Sequence, residues 1–531
     1  MATTAYYTAW SLGPGPTADG LQKLPAGILG RRVDPIPAHT GKSMAYQDFQ
    51  AFLRDLEAHG ELVRISAPVS PYLEIAEVAD RVMKSPGGGK ALLFEQPAGY
   101  GMPVAINTMG SRKRISMALG VGDIEDLAAE IADLAKPEIP TGWRERLRLL
   151  PKLQRLAAVP PRTVGSAPCQ EVVLQGPDVN LSRLPILTCW PLDGGPFVTL
   201  PLVFTHDPAT GKRNVGMYRM QVYDHNTTGM HWQLHKSGAE HHRQSRQAGR
   251  RIEIAVALGG DPACTFAAIA PLPPGIDEML FAGFVRRKPV EMVRCKSVDL
   301  SVPAEAEMVL EGYVDPDETR PEGPFGDHTG FYTPVEDYPV FHVTTLTQRR
   351  NPVYPATIVG RPPMEDGWMG KAVERVFLPL IKLVAPDIVD MHLPVHGCFH
   401  NVALVSIRKR YPGHAFKVMN TLWGLGQLMF TKVILVFDDD VDVQDLDEAL
   451  WRFANNIDPE RDMQVTRGPI DVLDHASRQV GYGSKIGFDC TKKLAAEGYE
   501  RAWPEAITMS AEVRGRVDEL WPALGLDAGD R

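Results

Sequence analysis

No apolar run in this chain approaches the roughly 18–20 residues needed to cross a bilayer, and no basic start leads into a hydrophobic signal core. A soluble chain is the expectation. No C-x-x-C pair occurs either. The six cysteines, Cys169, Cys189, Cys264, Cys295, Cys398 and Cys490, lie far apart, which disfavours a structural zinc site or a disulfide scaffold and fits a reducing, cytoplasmic setting. Positive charge is not in surplus: the formal net charge of -9 argues against a general nucleic-acid binder, which needs a basic surface to displace counterions from phosphate. Local basic pockets stay open. What is present is globular in composition, with 44% hydrophobic and 23% charged residues in 531, enough for about three domains with cores of their own.

The first 43 residues are rich in Gly and Pro ("SLGPGPTADG", "RRVDPIPAHTG") and read as a flexible extension. From Tyr46 the spacing of Phe49, Phe52, Leu53 and Leu56 predicts a buried amphipathic helix stopped at Gly60. A second helix, "YLEIAEVADRVMK", precedes "SPGGGKALLFEQ", and the pattern predicts an α/β N-terminal domain over 44–162. The glycines at 87–89 follow a helix and precede a strand, the reverse of a phosphate loop. Over 163–360 the texture changes to short alternating segments such as "QEVVLQG", "FVTLPLVFTHD" and "FHVTTLTQ", the pattern of a β-rich domain compatible with a barrel. Helical periodicity returns over 361–531, where "GKAVERVFLPLIKLVAP" reads as a helix and "VALVSIRKR" as a strand. There "KVILVFDDDVDVQDLDEALWRF" reads as strand, acidic turn and helix, a second α/β domain in which Asp438, Asp439 and Asp440 are expected to cap the helix rather than bind a cation.

Two stretches carry chemistry. "RPEGPFGDHTGFY" sets Glu322 and Asp327 on either side of Gly323, Pro324 and Gly326, residues that let the backbone fold back sharply and bring the acids together. A solvated loop tip is the plain alternative. "NVGMYRMQVYDHNTTGMHWQLHKSGAEHH" gathers Asn214, Arg219, His231, His235, Lys236, His241 and His242. On a regular strand Asn214 and Arg219 would point to opposite faces, one toward a metal or phosphate and the other toward a second pocket. "HKSGAEHH" lacks the H-E-x-x-H spacing of two ligands on one helical face, and each His alone is more often a surface or core residue than a ligand.

Taken in order, "NVGMYR", "HWQLHK", "GIDEMLFAG", "EMVLEGY", "PEGPFGDHTG", "GRPP" and "GSKIGFDCTKK" resemble the UbiD family of decarboxylases, most of all its bacterial 4-hydroxy-3-polyprenylbenzoate decarboxylases. The resemblance runs from about Tyr46 to the C-terminal region. It implies a mixed α+β and α/β multidomain fold: an N-terminal α/β domain, a central split β-barrel of flavin-reductase-like type that binds prenylated FMN, and a C-terminal α/β oligomerisation domain. It also implies a reversible carboxy-lyase. Manganese, tying the cofactor phosphate to the protein, would be held by Asn214, His235 and Glu278, an oxygen and imidazole set suited to that ion, and a potassium site would be largely backbone carbonyl. Other cofactor contacts would be Met217, Tyr218, Arg219, His231, Trp232, Gln233, Lys236 and Ser237.

Departures from the family pattern fall on the last group, where Arg-Trp-Leu and Arg-Gly are replaced by His231-Trp232-Gln233 and Lys236-Ser237. Lys lacks the bidentate fork of Arg and His is only partly charged at neutral pH, so the substrate is affected more than the cofactor. Arg219, Glu322 and Asp327 occupy the family's catalytic triad. Two neighbouring acids are expected to share one proton, raising one apparent pKa and leaving Asp327 to protonate the ring carbon while Glu322 orients Arg219. The implied substrate is a 4-hydroxybenzoate with a polyprenyl tail, in ubiquinone biosynthesis; a hydroxylated naphthoate of the menaquinone pathway, another aromatic or heteroaromatic acid, and a non-catalytic flavin-binding subunit of a carboxylase complex are the alternatives. A separate flavin prenyltransferase as cofactor supplier, a homo-oligomer (dimer or hexamer), and peripheral contact with the inner face of a membrane complete the expectation.

Overall fold

Local chemistry explains the first element of the computed structural model, which describes residues 45–135, 159–233, 236–273 and 275–525. The Asp48 carboxylate accepts a hydrogen bond from the Ala51 N–H at 2.7 Å and caps the helix Phe49–Ala58. Phe49, Phe52, Leu53 and Leu56 all face inward, and Gly60, at φ +70°, ends the turn that follows. The expected extension over 1–43 lies outside the described residues.

Three sheets carry the architecture. The first is mixed: Leu62–Ile65 runs parallel to Ala91–Phe94, which is antiparallel to Val104–Ile106, and Tyr354–Ala356 adds in parallel at the far edge. Sheet membership therefore does not follow chain order. The 3-10 turn at Pro86–Gly88 sits between the helix Glu74–Met83 and the strand Ala91–Phe94, the order read from the sequence.

The central sheet is antiparallel and follows an open hydrogen-bonded path from Thr227–Gly229 through Glu336–Gln348, Met308–Glu322, Ile252–Leu258 and Leu202–His206 to Arg213–Gly216, with Val172–Gln175 added to Glu336–Gln348. Its longest pair, Met308–Glu322 with Glu336–Gln348, carries register irregularities at Glu311/Gly312 and Val314/Thr319. Such irregularities bend a ladder and change its twist. The bend leads the strand to its terminal residue, Glu322.

The third sheet, in the order Ile388–His392, Val402–Ile407, Val433–Asp438, Tyr482–Asp489, Met463–Pro469, has a parallel centre with antiparallel edges. The helix after its acidic turn, Leu446–Asn456, is capped by Asp445, which accepts from the Asp447 and Glu448 N–H groups. This corrects the expectation for Asp438, Asp439 and Asp440. Asp438 instead accepts from the Lys492 N–H at 2.6 Å, Asp440 pairs with Lys492 and Arg452, and Asp439 faces Arg408. The turn is five residues too long for the triple Asp to reach the helix's first N–H groups.

The helix Glu365–Val384 joins the cores. Met369, Ala372, Val376 and Phe377 pack into the cluster shared by the first two sheets, while Leu378 belongs to the C-terminal cluster with Met391, Val405 and Val436. Phe52 is fully buried in the larger cluster. Phe52→Ala should therefore destabilise the protein by about 3–5 kcal/mol, read as a lower unfolding midpoint; an unchanged midpoint would show that this helix is not integral to the core.

Candidate active site

Strand Met308–Glu322 ends at Glu322, the chain reverses, and the short pair Phe325–Gly326 with Tyr332–Thr333 presents Asp327. Gly323 adopts φ +102°, a conformation open to glycine and few others. Gly326 does not: it lies in extended backbone, and its requirement is space, because a Cβ there would stand 2.2 Å from Trp190 Cδ1. Three groups stitch the reversal in place. Gln221 Oε1 accepts from the Gly323 N–H at 2.7 Å, the Gly194 N–H donates to the Pro324 carbonyl at 2.8 Å, and Asp193 Oδ1 accepts from the Gly326 N–H at 2.8 Å. Asp193 is absent from the sequence reading, since nothing local marks it.

Arg219 lies between the two acids. Its Nε and Nη2 donate to Glu322 Oε1 and Oε2 at 2.8 and 3.1 Å, its Nη1 donates to Asp327 Oδ2, and Nη2 also reaches Thr333 Oγ1 at 3.2 Å. Phe325 covers the guanidinium, with its ring centroid 4.6 Å from Cζ. The acids are 1% and 6% exposed, so the cluster is almost dry. Two histidines close it. His231 Nδ1 donates to Glu322 Oε2 at 3.1 Å and its ring lies 4.2 Å from that of Tyr338, while Asp327 Oδ1 accepts from both the N–H and the Nδ1 of His328 at 2.7 and 2.8 Å.

This arrangement overturns the expected shared proton. Burial alone would raise the Glu322 pKa, but hydrogen bonds from His231 and Arg219 and the charge of Arg219 outweigh it and hold the carboxyl at about 2. Burial opposes ionisation of Asp327 too, yet the hydrogen bond and charge of His328, then Arg219, hold it well below the usual range. The two acids face the one guanidinium between them, with His231 as a further donor to Glu322 and His328 as a further donor to Asp327. A raised carboxyl lies close by: Asp366, on the helix Glu365–Val384, is pushed by burial to about 6, with His328 lowering and Asp327 raising it. The His231 pKa falls through burial and the charge of Arg219, so its imidazole is neutral near pH 7.

Asn214 and Arg219 do reach different places, though not as opposite faces of one strand. The strand Arg213–Gly216 ends before Arg219, and Tyr218 folds back so closely that a Cβ on Gly216 would meet its Oη at 2.2 Å. Asn214 stays beside Glu278, whose Oε2 accepts from the Val215 N–H at 3.0 Å. Burial pushes the Glu278 carboxyl up to about 7, and the Asn214 side chain lies against the Tyr218 hydroxyl. The oxygen of the Asn214 amide and the Glu278 carboxyl are the hard donors of this pair, the kind of set that suits a cation. His235 lies outside the described residues.

Met217 is half-buried, and Tyr218 Oη accepts from the Gly238 N–H at 3.4 Å. Trp232 packs its ring 5.4 Å from His242 with its Nε1 buried and unpaired among the described residues; Gln233 is half-buried beside it. Lys236 precedes the helix Ser237–Gln247, and burial lowers its pKa against a modest opposing pull from Asp471. A desolvated ammonium of this kind favours an anion. Ser237 is exposed at the helix start, and His241 bonds Thr205 Oγ1 at 2.9 Å inside the protein, a structural role. Apart from this region, Asp315, Glu318 and His342 bring ligand atoms within 4.8 Å of one another, but Arg251 and Arg320 already pair with the two acids.

Three domain descriptions match the chain: the 3-octaprenyl-4-hydroxybenzoate carboxy-lyase N-terminal domain over 53–134, the Rift-related domain over 162–362 and the C-terminal domain over 367–490. An uncharacterised protein of Aquifex aeolicus is 53% identical over 483 residues, covering 91% of this chain and 99% of that protein. Among solved structures, the UbiD-class enzyme HmfF from Pelotomaculum thermopropionicum in complex with FMN is 30% identical with a TM-score of 0.72, covering 86% of this chain and 97% of its own. An evolved dimeric form of HmfF in complex with prFMN is 29% identical at 0.71, covering 86% and 97%. The closed form of vanillic acid decarboxylase from Sedimentibacter hydroxybenzoicus is 26% identical at 0.78, covering 90% and 99%.

Folding lowers the Glu322 pKa from 4.5 to about 2, so its stabilisation is complete above pH 4.5 and is lost as the pH falls toward 2. The shift corresponds to about 3 kcal/mol. Glu322→Gln should unfold at a lower temperature than the parent at pH 7, and the gap should close as the pH is lowered toward 2; a pH-independent gap would contradict the ion pair.

Proposed function

The chain belongs to the UbiD family of 3-octaprenyl-4-hydroxybenzoate carboxy-lyases, and from that premise we propose that it removes CO2 from an aromatic carboxylic acid with Arg219, Glu322 and Asp327 as the working groups. The observation that carries this reading is the buried guanidinium held between two ionised acids. Glu322 fixes Arg219 in a bidentate grip, which leaves the guanidinium oriented to meet a substrate carboxylate. Asp327 supplies the proton that replaces CO2 on the ring carbon. Prenylated FMN, when bound, supplies the electron sink for the charge left on that carbon. Met217, Tyr218, Arg219, His231, Trp232, Gln233, Lys236 and Ser237 are the residues that would hold it. Lys236, a half-buried cation, answers the phosphate. Asn214, Glu278 and His235 would hold Mn2+, and the raised Glu278 pKa is what a carboxylate made for a cation shows without one.

For the substrate, we take 4-hydroxy-3-polyprenylbenzoate first, in keeping with the family description. A smaller phenolic acid is the second reading, favoured by the similarity to vanillic acid decarboxylase and by neutral His231 where the ubiquinone-pathway pattern it resembles would have Arg. Potassium held by backbone carbonyls, a separate flavin prenyltransferase, and brief membrane contact for a prenyl tail belong to the same reading. So do the three-domain division at 162/163 and 360/361 and self-association through the last part, which the exposed Val513, Val517 and Leu520 on the helix Ala511–Leu520 support.

Enzyme co-produced with a flavin prenyltransferase and given Mn2+ should decarboxylate at least one of 4-hydroxy-3-polyprenylbenzoate, vanillic acid, 3,4-dihydroxybenzoate and a dihydroxynaphthoate. Asp327→Asn should lower kcat by about 10²–10⁴, and full turnover by that variant would sink the assignment. Separately, Glu278→Gln should weaken Mn2+ binding to the apoprotein by roughly tenfold or more in calorimetry, whereas unchanged affinity would place the ion elsewhere.

A further inference from the structure

An acid held ionised is a poor standing store of protons, so Asp327 must be reloaded in every turnover. Its two oxygens have different neighbours. Oδ2 is taken by Arg219, which gives up no proton, and Oδ1 faces His328 Nδ1 at 2.8 Å. On its other side His328 Nε2 lies 3.0 Å from His400 Nε2, so a single proton sits between the two rings. His400 Nδ1, the outer end of the chain of atoms, is buried and has no hydrogen-bond partner among the described residues.

The turn that delivers His400 is unusual in its backbone. After the 3-10 turn Val395–Gly397, both Cys398 and Phe399 adopt left-handed conformations, φ +52° and +50°, which non-glycine residues rarely hold. The strain has a visible product: Phe399 stacks on His328 with centroids 5.5 Å apart and planes 20° apart, and His400 meets His328 edge-on at 5.2 Å. A second contact joins the same regions, the ring of Phe331 lying 4.2 Å from that of His475.

We propose that His400 is a positioning residue that passes protons to Asp327 through His328, so that the C-terminal part of the chain completes the active site. The inference rests on the role proposed above for Asp327. Starting from neutral His328, with the shared proton on His400 Nε2, a proton enters at His400 Nδ1 and the shared proton moves onto His328 Nε2, which makes His328 the cation that faces Asp327. The Nδ1 proton of His328 then passes to Asp327 Oδ1. Asp327 gives it to the ring carbon, whose bond to the carboxylate carbon has broken with the electron pair remaining on the ring. One proton is consumed and one CO2 released, and the two rings, left with the proton on His328 Nε2 and on His400 Nδ1, rotate back to their starting tautomers before the next turnover. Transfer from His400 to His328 runs toward the stronger base: His328 faces Asp327, Asp366 and Asp471, and its pKa is raised because the Asp327 bond and charge outweigh burial; the last transfer, to the weaker base Asp327, is uphill and is drawn on by the negative charge left on the ring carbon. His400 faces His328, Asp471, Lys236 and Asp327, and burial and the charge of His328 push it down to about 4.

The test compares His400→Ala, His400→Gln and Asp327→Asn in cofactor-loaded enzyme, with the acid of the above panel that the parent turns over fastest. His400→Ala should lower kcat at least tenfold with KM within twofold of the parent, change the pH profile of kcat, and regain rate when imidazole is added. His400→Gln, which keeps a hydrogen bond to His328 but cannot pass a proton, should hold the parent's flavin absorbance and melting temperature and still be slow. Parent-like kcat in His400→Ala across the pH range, or full rate in His400→Gln, would overturn the relay. So would a loss in both variants that tracks a lower melting temperature and ignores imidazole. Full turnover by Asp327→Asn, or no turnover of any panel acid by the parent, would overturn the role of Asp327 itself, and the relay with it. An inactive Asp327→Asn beside an unaffected His400→Ala would remove the relay alone.

Discussion

One guanidinium shared by two carboxylates, with almost no water around it, sets the terms for everything near it. Arg219 cannot shed its proton, so Glu322 and Asp327 are both held ionised, and the surplus negative charge draws in His231 and His328 as further donors. Such a cluster is weak as a source of stability, because taking the charges out of water consumes most of what their attraction returns. Its value lies in orientation: breaking any one link would leave a buried charge unpaired, so each side chain is confined to one place.

The scaffold exists to hold that geometry. Glu322 stands at the end of the longest strand of the central sheet, Asp327 on a reversal pinned by Gln221, Gly194 and Asp193, and Arg219 beyond the end of Arg213–Gly216. None of these depends on a flexible tip. The helix Glu365–Val384, packed into two cores at once, carries Asp366 toward His328 and ties the C-terminal sheet to the site. A carboxy-lyase that must strip water from a charged substrate and then return a proton benefits from both features, rigidity around the guanidinium and a bonded route for protons.

Much of this was open to a reader of the sequence, and the reasons are specific. The helix Phe49–Ala58 is legible because its apolar residues recur at helical spacing and Asp48 precedes them. The acidic loop by itself reads equally as a solvated loop tip, and it is legible as a site, like Arg219, through a resemblance spread along the chain. The cap of Leu446–Asn456 was misplaced because three adjacent acids outshine the single Asp445 that stands at the right distance. The shared proton is misjudged because the sequence brings Arg219 to Glu322 without showing that the same guanidinium also reaches Asp327 and that His231 and His328 add donors to the acids.

Helices such as Phe49–Ala58 and the β-rich texture of the middle of the chain were determined by the sequence itself, since periodicity and turn chemistry act over a few residues at a time, while the family and its site residues were legible through the resemblance of motifs along the chain. Only the tertiary structure decided which charge faces which. The ionised state of Glu322 and Asp327, the neutrality of His231, the raised Glu278 and the approach of His400 to His328 across 72 positions all depend on burial and on distances between remote segments. Protonation follows from those distances because, where water is excluded, the nearest charge fixes a group's state, and the nearest charge is seldom a neighbour in the chain.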